Sequence, residues 1–527
     1  MKLSMDAILS KEETRWSGVR EVLLLALPII ISVGSNTIMS AVDVWMVAQL
    51  GRDEVAGIIP ASITNSVLIS FFIGVMSCVS TFVGQSYGRG SFRLCSHYAW
   101  QGIYISLLIG VLAMALWPPT PAIFRLCGHA SAVQVHEVAY FQWRLLGVGG
   151  AIMSVALASF FTATSKPVIP MVATVASNLV NLVGDYLLIF GKFGFPKWGV
   201  AGAAIATNVA AWLCALMMFA VFLSKDLNAV YKSRKTRRWD SRKVRQLFRI
   251  GWPAGLSMGL DIGSWAVFIV FLVGRFGTDA IAAGGITGQI LSGSFMPTVG
   301  LSIAVTALVG QWIGRGSLDR AKARYRTALK IGIIYMTLMG LIFVLFRHDL
   351  IRLFRDDPEI VKLGGTFLIF AAAFQFFDAI SIVTSGALKG AGDTRWPMVA
   401  SMVSAWLVFL PLGYVLAFRT SLGVVGGWIS ATIYIYLLGS ALFLRFLSGK
   451  WMKVDIFHRP GRQGIIPIQA PPPTGSLPPA PGQDRLDSGG AGAGGASPGP
   501  SQPDASTRPE GSKQNGQNEL LKDSVAG

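Results

Sequence analysis

Val83-Gly84-Gln85-Ser86-Tyr87-Gly88-Arg89-Gly90-Ser91 returns 226 residues later as Val309-Gly310-Gln311-Trp312-Ile313-Gly314-Arg315-Gly316-Ser317. The echo is not isolated. Pro170-Met171-Val172-Ala173 recurs as Pro397-Met398-Val399-Ala400 at an offset of 227, and Gly199-Val200-Ala201-Gly202 as Gly423-Val424-Val425-Gly426 at 224. Pro28 matches Pro253 at 225. Chance explains one such match, hardly four at nearly one spacing. The chain holds two copies of one unit.

Between the matches the sequence is apolar. Six runs fill the first copy, at 22–48, 59–84, 95–117, 139–163, 168–190 and 199–223. Six more fill the second, at 250–274, 284–312, 325–346, 362–386, 397–418 and 424–447. At 1.5 Å per residue each covers a hydrocarbon core of about 30 Å. Backbone polar groups cannot stay unpaired in lipid, so runs without alternation are helices. Composition agrees: of 527 residues 52% are hydrophobic and 14% charged, with a mean hydropathy of +0.55. A soluble domain carries about 25% charged residues. This chain cannot cover a water-facing surface of its own size, which excludes a soluble enzyme. Four cysteines without paired spacing exclude a disulfide scaffold.

The expected fold is therefore an all-α membrane protein of twelve transmembrane helices in two six-helix lobes. An even number of spans per copy makes both copies enter the membrane the same way. The lobes should be related by an axis along the membrane normal, with a cavity between them, which is a transporter's plan. Residues 1–223 form the N-lobe, 224–249 a basic linker, 250–447 the C-lobe and 448–527 a tail. The Pro/Gly/Ser-rich part of that tail, 463–527, buries too little apolar surface to order itself.

The net charge of +18 raises the question of nucleic acid. The basic residues, however, alternate with spans: 29 of the 45 Lys and Arg fall on one side, ten of them in 224–249. This is membrane topology, and no nucleic-acid partner is expected. It predicts a multi-pass protein of the cell (inner) membrane with both termini cytoplasmic. The polar N-terminus lacks the pattern of a cleavable signal peptide.

Few carboxylates interrupt the spans: Asp43, Asp185, Asp261 and Asp378. A carboxylate inside a membrane is costly and usually faces a cavity, a partner or an ion path. Measured from the outer helix ends, Asp43, Asn181, Asp185 and Thr207 fall within a band of about 6 Å. Asn181 and Asp185 are four residues apart and share a helix face. Two carboxylates, an amide and a hydroxyl at one depth are hard oxygen ligands suited to a small cation or a proton. Asp261 and Asp378 lie near mid-membrane and form a candidate second site. No phosphate-binding glycine loop ends in Lys-Ser or Lys-Thr, so ATP drive is not expected. Gly284-Gly285 reads as close helix packing.

These residues resemble the multidrug and toxic compound extrusion (MATE) family over about residues 15–447. The resemblance is carried by Pro28 with Ala41-Val42-Asp43, Val83-Gly84-Gln85, Asn178 to Asp185, and Gly202 to Thr207. In the second copy it is carried by Gly251-Trp252-Pro253, Pro297, Val309-Gly310-Gln311 and, most specifically, Gly386 to Thr394. It implies export of amphipathic, often cationic small molecules against entry of Na⁺ or H⁺, with no cofactor and no enzymatic step. It also implies that Asp43, Asn181, Asp185 and Thr207 form the N-lobe coupling site, one that could hold Na⁺. Asp261 and Asp378 match the C-lobe site, whose tyrosine position falls on Phe374. A His-Gln pair common in the family is replaced by Gly284-Gly285. The expected partners are those small molecules and membrane lipids, and the expected working unit is a monomer. Two alternatives remain open: a flippase for lipid-linked oligosaccharide, which would want arginines in its cavity, and a non-transporting scaffold. Pro28 lacks a backbone donor and would let the first helix bend.

Overall fold

The computed structural model describes residues 15–126, 128 and 130–457, and every regular element among them is a helix. The expected tail disorder at 463–527, Cys127, His129 and the first 14 residues lie outside the described residues. The N-lobe spans are α1 (Arg15–Ala48), α2 (Arg52–Ser77, resumed as Val79–Gly88) and α3 (Phe92–Ala113). They continue with α4 (Ser131–Leu145 and Val148–Ala163), α5 (Val168–Phe190) and α6 (Gly199–Phe222). The C-lobe spans are α7 (Ser241–Val267), α8 (Thr278–Gly314) and α9 (Leu318–Leu345). They end with α10 (Pro358–Ala391), α11 (Arg395–Met402 through Leu410–Phe418) and α12 (Val424–Leu447). Among the described residues eleven helices are long and apolar enough to cross a bilayer, and the bent pair of α4 supplies a twelfth.

Three departures from the expected spans have physical causes. The fourth span starts at Ser131 rather than 139 and bends by 48° after Leu145. The bend is held by α6: Asn208 Nδ2 donates to the Trp143 carbonyl at 2.5 Å and Trp212 Nε1 to the Leu146 carbonyl at 2.9 Å. Carbonyls freed by a break inside a membrane must be satisfied in this way. Secondly, α7 begins at Ser241, nine residues early, because Asp240 caps it by accepting from the amides of Arg242 (3.0 Å) and Lys243 (3.2 Å). Thirdly, α7 and α11 each contain a π-helical turn, at Phe268–Leu272 and Val403–Phe409. These turns pack together, with Phe268 and Phe409 rings 5.0 Å apart. Pro28 lies within α1, which runs unbroken through it.

The two lobes meet where the repeated motif lies. Gly84 and Gly310 face one another; a Cβ on Gly310 would lie 3.6 Å from Gly84 Cα. One turn on, a Cβ on Gly88 would lie 2.9 Å from Gly314 Cα. Small residues four apart on both helices let the backbones touch. Gly284-Gly285 does not play this part. A Cβ on Gly284 would make ordinary contact with Val273 at 3.4 Å, and one on Gly285 would meet no neighbouring element within 4 Å.

The glutamines beside these glycines cross over. Gln85 Nε2 donates to the carbonyls of Gly390 (3.2 Å) and Ala391 (3.4 Å), at the end of α10. Gln311 Nε2 donates to the Ala163 carbonyl (2.9 Å) and Ser165 Oγ (3.0 Å), at the end of α4. Around this clasp, Thr81 donates to the Lys389 carbonyl at 2.8 Å, and a buried ion pair joins Glu21 of α1 to Arg324 of α9. Among the described residues the hydrogen bonds between lobes all lie toward this end.

Candidate functional site

At the opposite end of the N-lobe, α1, α4, α5 and α6 converge on a polar pocket. Asp185 is fully buried, Asn181 nearly so, and Asp43 half-buried. Asn181 Nδ2 donates to Asp185 Oδ2 at 2.9 Å, the bond that their four-residue spacing makes possible. The carboxyls of Asp43 and Asp185 face each other at hydrogen-bonding range. Two carboxyls so placed need a shared proton or an intervening cation, because two negative charges in contact repel strongly. Asp43 Oδ1 and Asp185 Oδ1 are buried and have no hydrogen-bond partner among the described residues.

Arg144, at the bend of α4, lies within electrostatic reach of both carboxyls. Its Nη1 donates to Asn208 Oδ1 at 3.0 Å, while its buried Nε has no hydrogen-bond partner among the described residues. Thr207, one residue from Asn208, is half-buried, and its hydroxyl donates to the Ala203 carbonyl at 2.8 Å. No hydrogen bond joins it to the carboxyls among the described residues. Of the four predicted N-lobe residues, three meet directly. Arg144 and Asn208 join them, and neither is among the predicted residues.

The C-lobe pair also converges. Asp261 Oδ1 accepts a hydrogen bond from Tyr434 of α12, and Asp378 lies within electrostatic reach of both. Phe374, the position where the resemblance would place a tyrosine, is buried and apolar. The hydroxyl comes from Tyr434 instead, which is fully buried with Phe409 stacked on it at 5.1 Å. The repeat gives no signal for Asn208 or Tyr434, because at the offset of 224 that relates α6 to α12 Asn208 matches Thr432 and Tyr434 matches Ala210.

The family profile described as MatE matches residues 28–187 and 253–415, one match in each lobe. The chain belongs to the MatE family. Its relatives include a probable multidrug resistance protein NorM of Mesorhizobium japonicum, 32% identical over 472 residues. That match covers 86% of this chain and 97% of the relative. A protein of the same description from Thermotoga maritima is 28% identical and covers 84% and 94%. Among solved structures, the eukaryotic MATE transporter AtDTX14 superposes with a TM-score of 0.75 at 22% identity, covering 83% of this chain and 97% of that one. A multidrug resistance MATE transporter of the MOP superfamily, in an outward-facing conformation, gives 0.78 at 19% identity, covering 86% and 100%. The MatE fold of two six-helix lobes is thus shared at low identity.

In this MatE protein Arg144 is the basic group acting on the N-lobe pair, so its removal has a defined outcome. Arg144→Gln should lower efflux about tenfold, the scale of a charge-assisted hydrogen bond. Arg144→Lys should recover only part, since an ammonium keeps the charge but not the planar fork. Efflux rates normalised to inserted protein check this. Equal rates in all three proteins would remove Arg144 from the site.

Proposed function

We propose that this chain is a secondary antiporter that exports amphipathic, chiefly cationic small molecules from the cytoplasm in exchange for Na⁺ or H⁺. The observation that carries the reading is the pair of facing carboxyls, Asp43 and Asp185, each with an unpartnered oxygen, buried in an apolar bundle. Neutralising that pair removes a large electrostatic cost, so ion entry supplies a differential affinity between two arrangements of the lobes. Asn181 orients Asp185, and Thr207 retains lone pairs that can face an ion. Asp261, Asp378 and Tyr434 form a second acidic site of the same kind. Pro28 is the point where α1 bends during the exchange. The clasp between α2 and α8 closes the face that the basic residues mark as cytoplasmic, with both termini on that face. Names such as multidrug resistance protein among the relatives support drugs and toxic compounds as cargo. One chain, embedded in a cell membrane, is the working unit.

A flippase for lipid-linked oligosaccharide is less well supported, because Arg144 is bonded to Asn208 rather than free to hold a pyrophosphate. The deciding experiment uses proteoliposomes loaded with a fluorescent organic cation, with sodium and proton gradients imposed separately. Efflux driven by one of them is the expected result. Movement of a lipid-linked sugar, with no cation efflux under either gradient, would overturn the proposal.

A further inference from the structure

The connection between α6 and α7 is pinned along α3. Ser96, Trp100 and Tyr104 lie on one stripe of α3, four residues apart, with Gln101 beside them. Ser96 Oγ donates to the Tyr231 carbonyl at 2.8 Å and also meets Thr236 Oγ1 at 2.8 Å. Trp100 Nε1 donates to the Ser233 carbonyl at 2.7 Å. Gln101 donates to the Arg238 carbonyl at 3.0 Å and accepts from the Asp240 amide at 3.1 Å. The Tyr104 hydroxyl donates to the Arg237 carbonyl. Five carbonyl or amide groups of the connection are thus held by a membrane helix. Tyr104 lies twelve residues along α3 from Phe92, about 18 Å at 1.5 Å per residue, so the pinned segment runs beside the helix wall.

With its backbone held inward, this irregular segment turns Lys235, Arg237 and Arg238 out. Arg234, Lys235, Arg237 and Arg238 are exposed and form no ion pair among the described residues, and Arg234 Nε alone among them is held, donating to the Leu223 carbonyl at 2.9 Å. The acidic residue within 232–249, Asp240, is already committed. It caps α7 and pairs with Lys243, whose hydrogen bond holds its carboxyl below the ordinary carboxylate range. Trp239 is 52% exposed beside the Tyr104 ring, which itself stacks with Trp100 at 5.4 Å. Exposed tryptophan with flanking basic residues is the composition of a membrane–water interface. A topology signal needs only the charges on one side. It does not need them fixed in position.

We infer that residues 234–239 form a preorganised binding site for the phosphate headgroup of an anionic phospholipid in the adjoining leaflet. Arg234, Lys235, Arg237 and Arg238 surround the phosphate, and Trp239 seats at the level of the glycerol backbone. Long basic side chains reach headgroups while their methylene stems stay against apolar surface. Pinning lowers the ordering cost of binding, so the site selects charge at little expense in chain entropy.

The test is native mass spectrometry of the full chain in detergent, titrated with phosphatidylglycerol or phosphatidylcholine. Phosphatidylglycerol should be retained in preference to phosphatidylcholine. Arg237→Gln and Arg238→Gln should each weaken that retention about fivefold, the effect of one basic residue at a charged surface. The fourfold neutralisation, with Arg234→Gln and Lys235→Gln added, should weaken it by more than about tenfold. Retention of phosphatidylcholine should not change. Neutralising Arg347, Arg352 and Arg355 at the other membrane face should leave both lipids unaffected. Equal retention of the two lipids by the unaltered chain would overturn the proposal. So would single variants that bind phosphatidylglycerol like the parent, or a short RNA duplex that displaces the lipid at physiological salt.

Discussion

Asp43→Asn is expected to insert and fold normally yet lose ion-driven efflux by about a hundredfold or more, the size of an allosteric coupling of about 3 kcal/mol. The amide is close in shape to the carboxyl, so the packing of α1 is kept. Its NH₂ also supplies a donor to Asp185 Oδ1, which is buried without a hydrogen-bond partner among the described residues in the parent chain. The variant thus holds the pair permanently in the form that one shared proton gives, with position 43 neutral. Ion entry then no longer relieves the repulsion between two facing charges, and a ligand without differential affinity shifts no equilibrium. Thermal stability should hold or rise, since a buried unsatisfied acceptor costs about 1–3 kcal/mol. Asp378→Asn should do less harm, because Tyr434 keeps donating to Asp261. The measurement is efflux of a fluorescent organic cation under an imposed gradient, with melting temperature read in parallel. Normal transport by Asp43→Asn together with loss in Asp378→Asn would move the coupling site to the C-lobe.

The second large effect is expected where α2 crosses α8. In Gly88→Leu the new Cβ would meet Arg315 N and Gly314 Cα, both at 2.9 Å. These are backbone atoms and cannot step aside. Overpacking of this kind costs about 1–3 kcal/mol, enough to shift a two-state balance tenfold or more toward the open arrangement. Efflux should fall by a similar factor. Ser86 is fully buried in the closed arrangement. In a cysteine-free background, Ser86→Cys should react with a polar maleimide quickly in the Gly88→Leu protein and slowly without that change. Gln85→Ala and Gln311→Ala test the same joint more gently and should cost similar amounts. Closed-state protection of Ser86→Cys in the Gly88→Leu protein would refute this account of the crossing.

Much of the fold is legible from run length alone, because a bilayer imposes one length and one backbone solution on every span. What escapes is decided by neighbours. Gln134, His136 and Glu137 precede the fourth apolar run and end its reading at 139, yet Glu137 is fully buried and the helix includes all three. The bend that follows depends on Asn208 and Trp212, side chains about 65 residues away in sequence. The π-helical turns in α7 and α11 contain neither proline nor glycine and pack on one another through Phe268 and Phe409, a contact between distant segments. In the pocket, Asp43, Asn181 and Asp185 are legible because depth and helical spacing are local arithmetic. Arg144 is hidden by its position near a helix end, where basic residues ordinarily need no explanation. Tyr434 is hidden because a buried tyrosine in an apolar span reads as core until the carboxylate facing it is known.

The clasp of Gln85 and Gln311 has the logic of an isologous dimer interface: one residue type, contributed twice, each copy reaching the same element of the other. In a true homodimer every substitution strikes both halves at once. Fusing the halves into one chain lifts that constraint wherever the lobes do not touch, and keeps it where they do. Positions 210 and 434, equivalent at the offset of 224, have used the freedom: one copy holds a buried alanine, the other a tyrosine bonded to Asp261. The glycines and glutamines of the joint have not, since each must still fit a partner built on the same plan. Divergence in this molecule is therefore licensed by distance from its own internal axis.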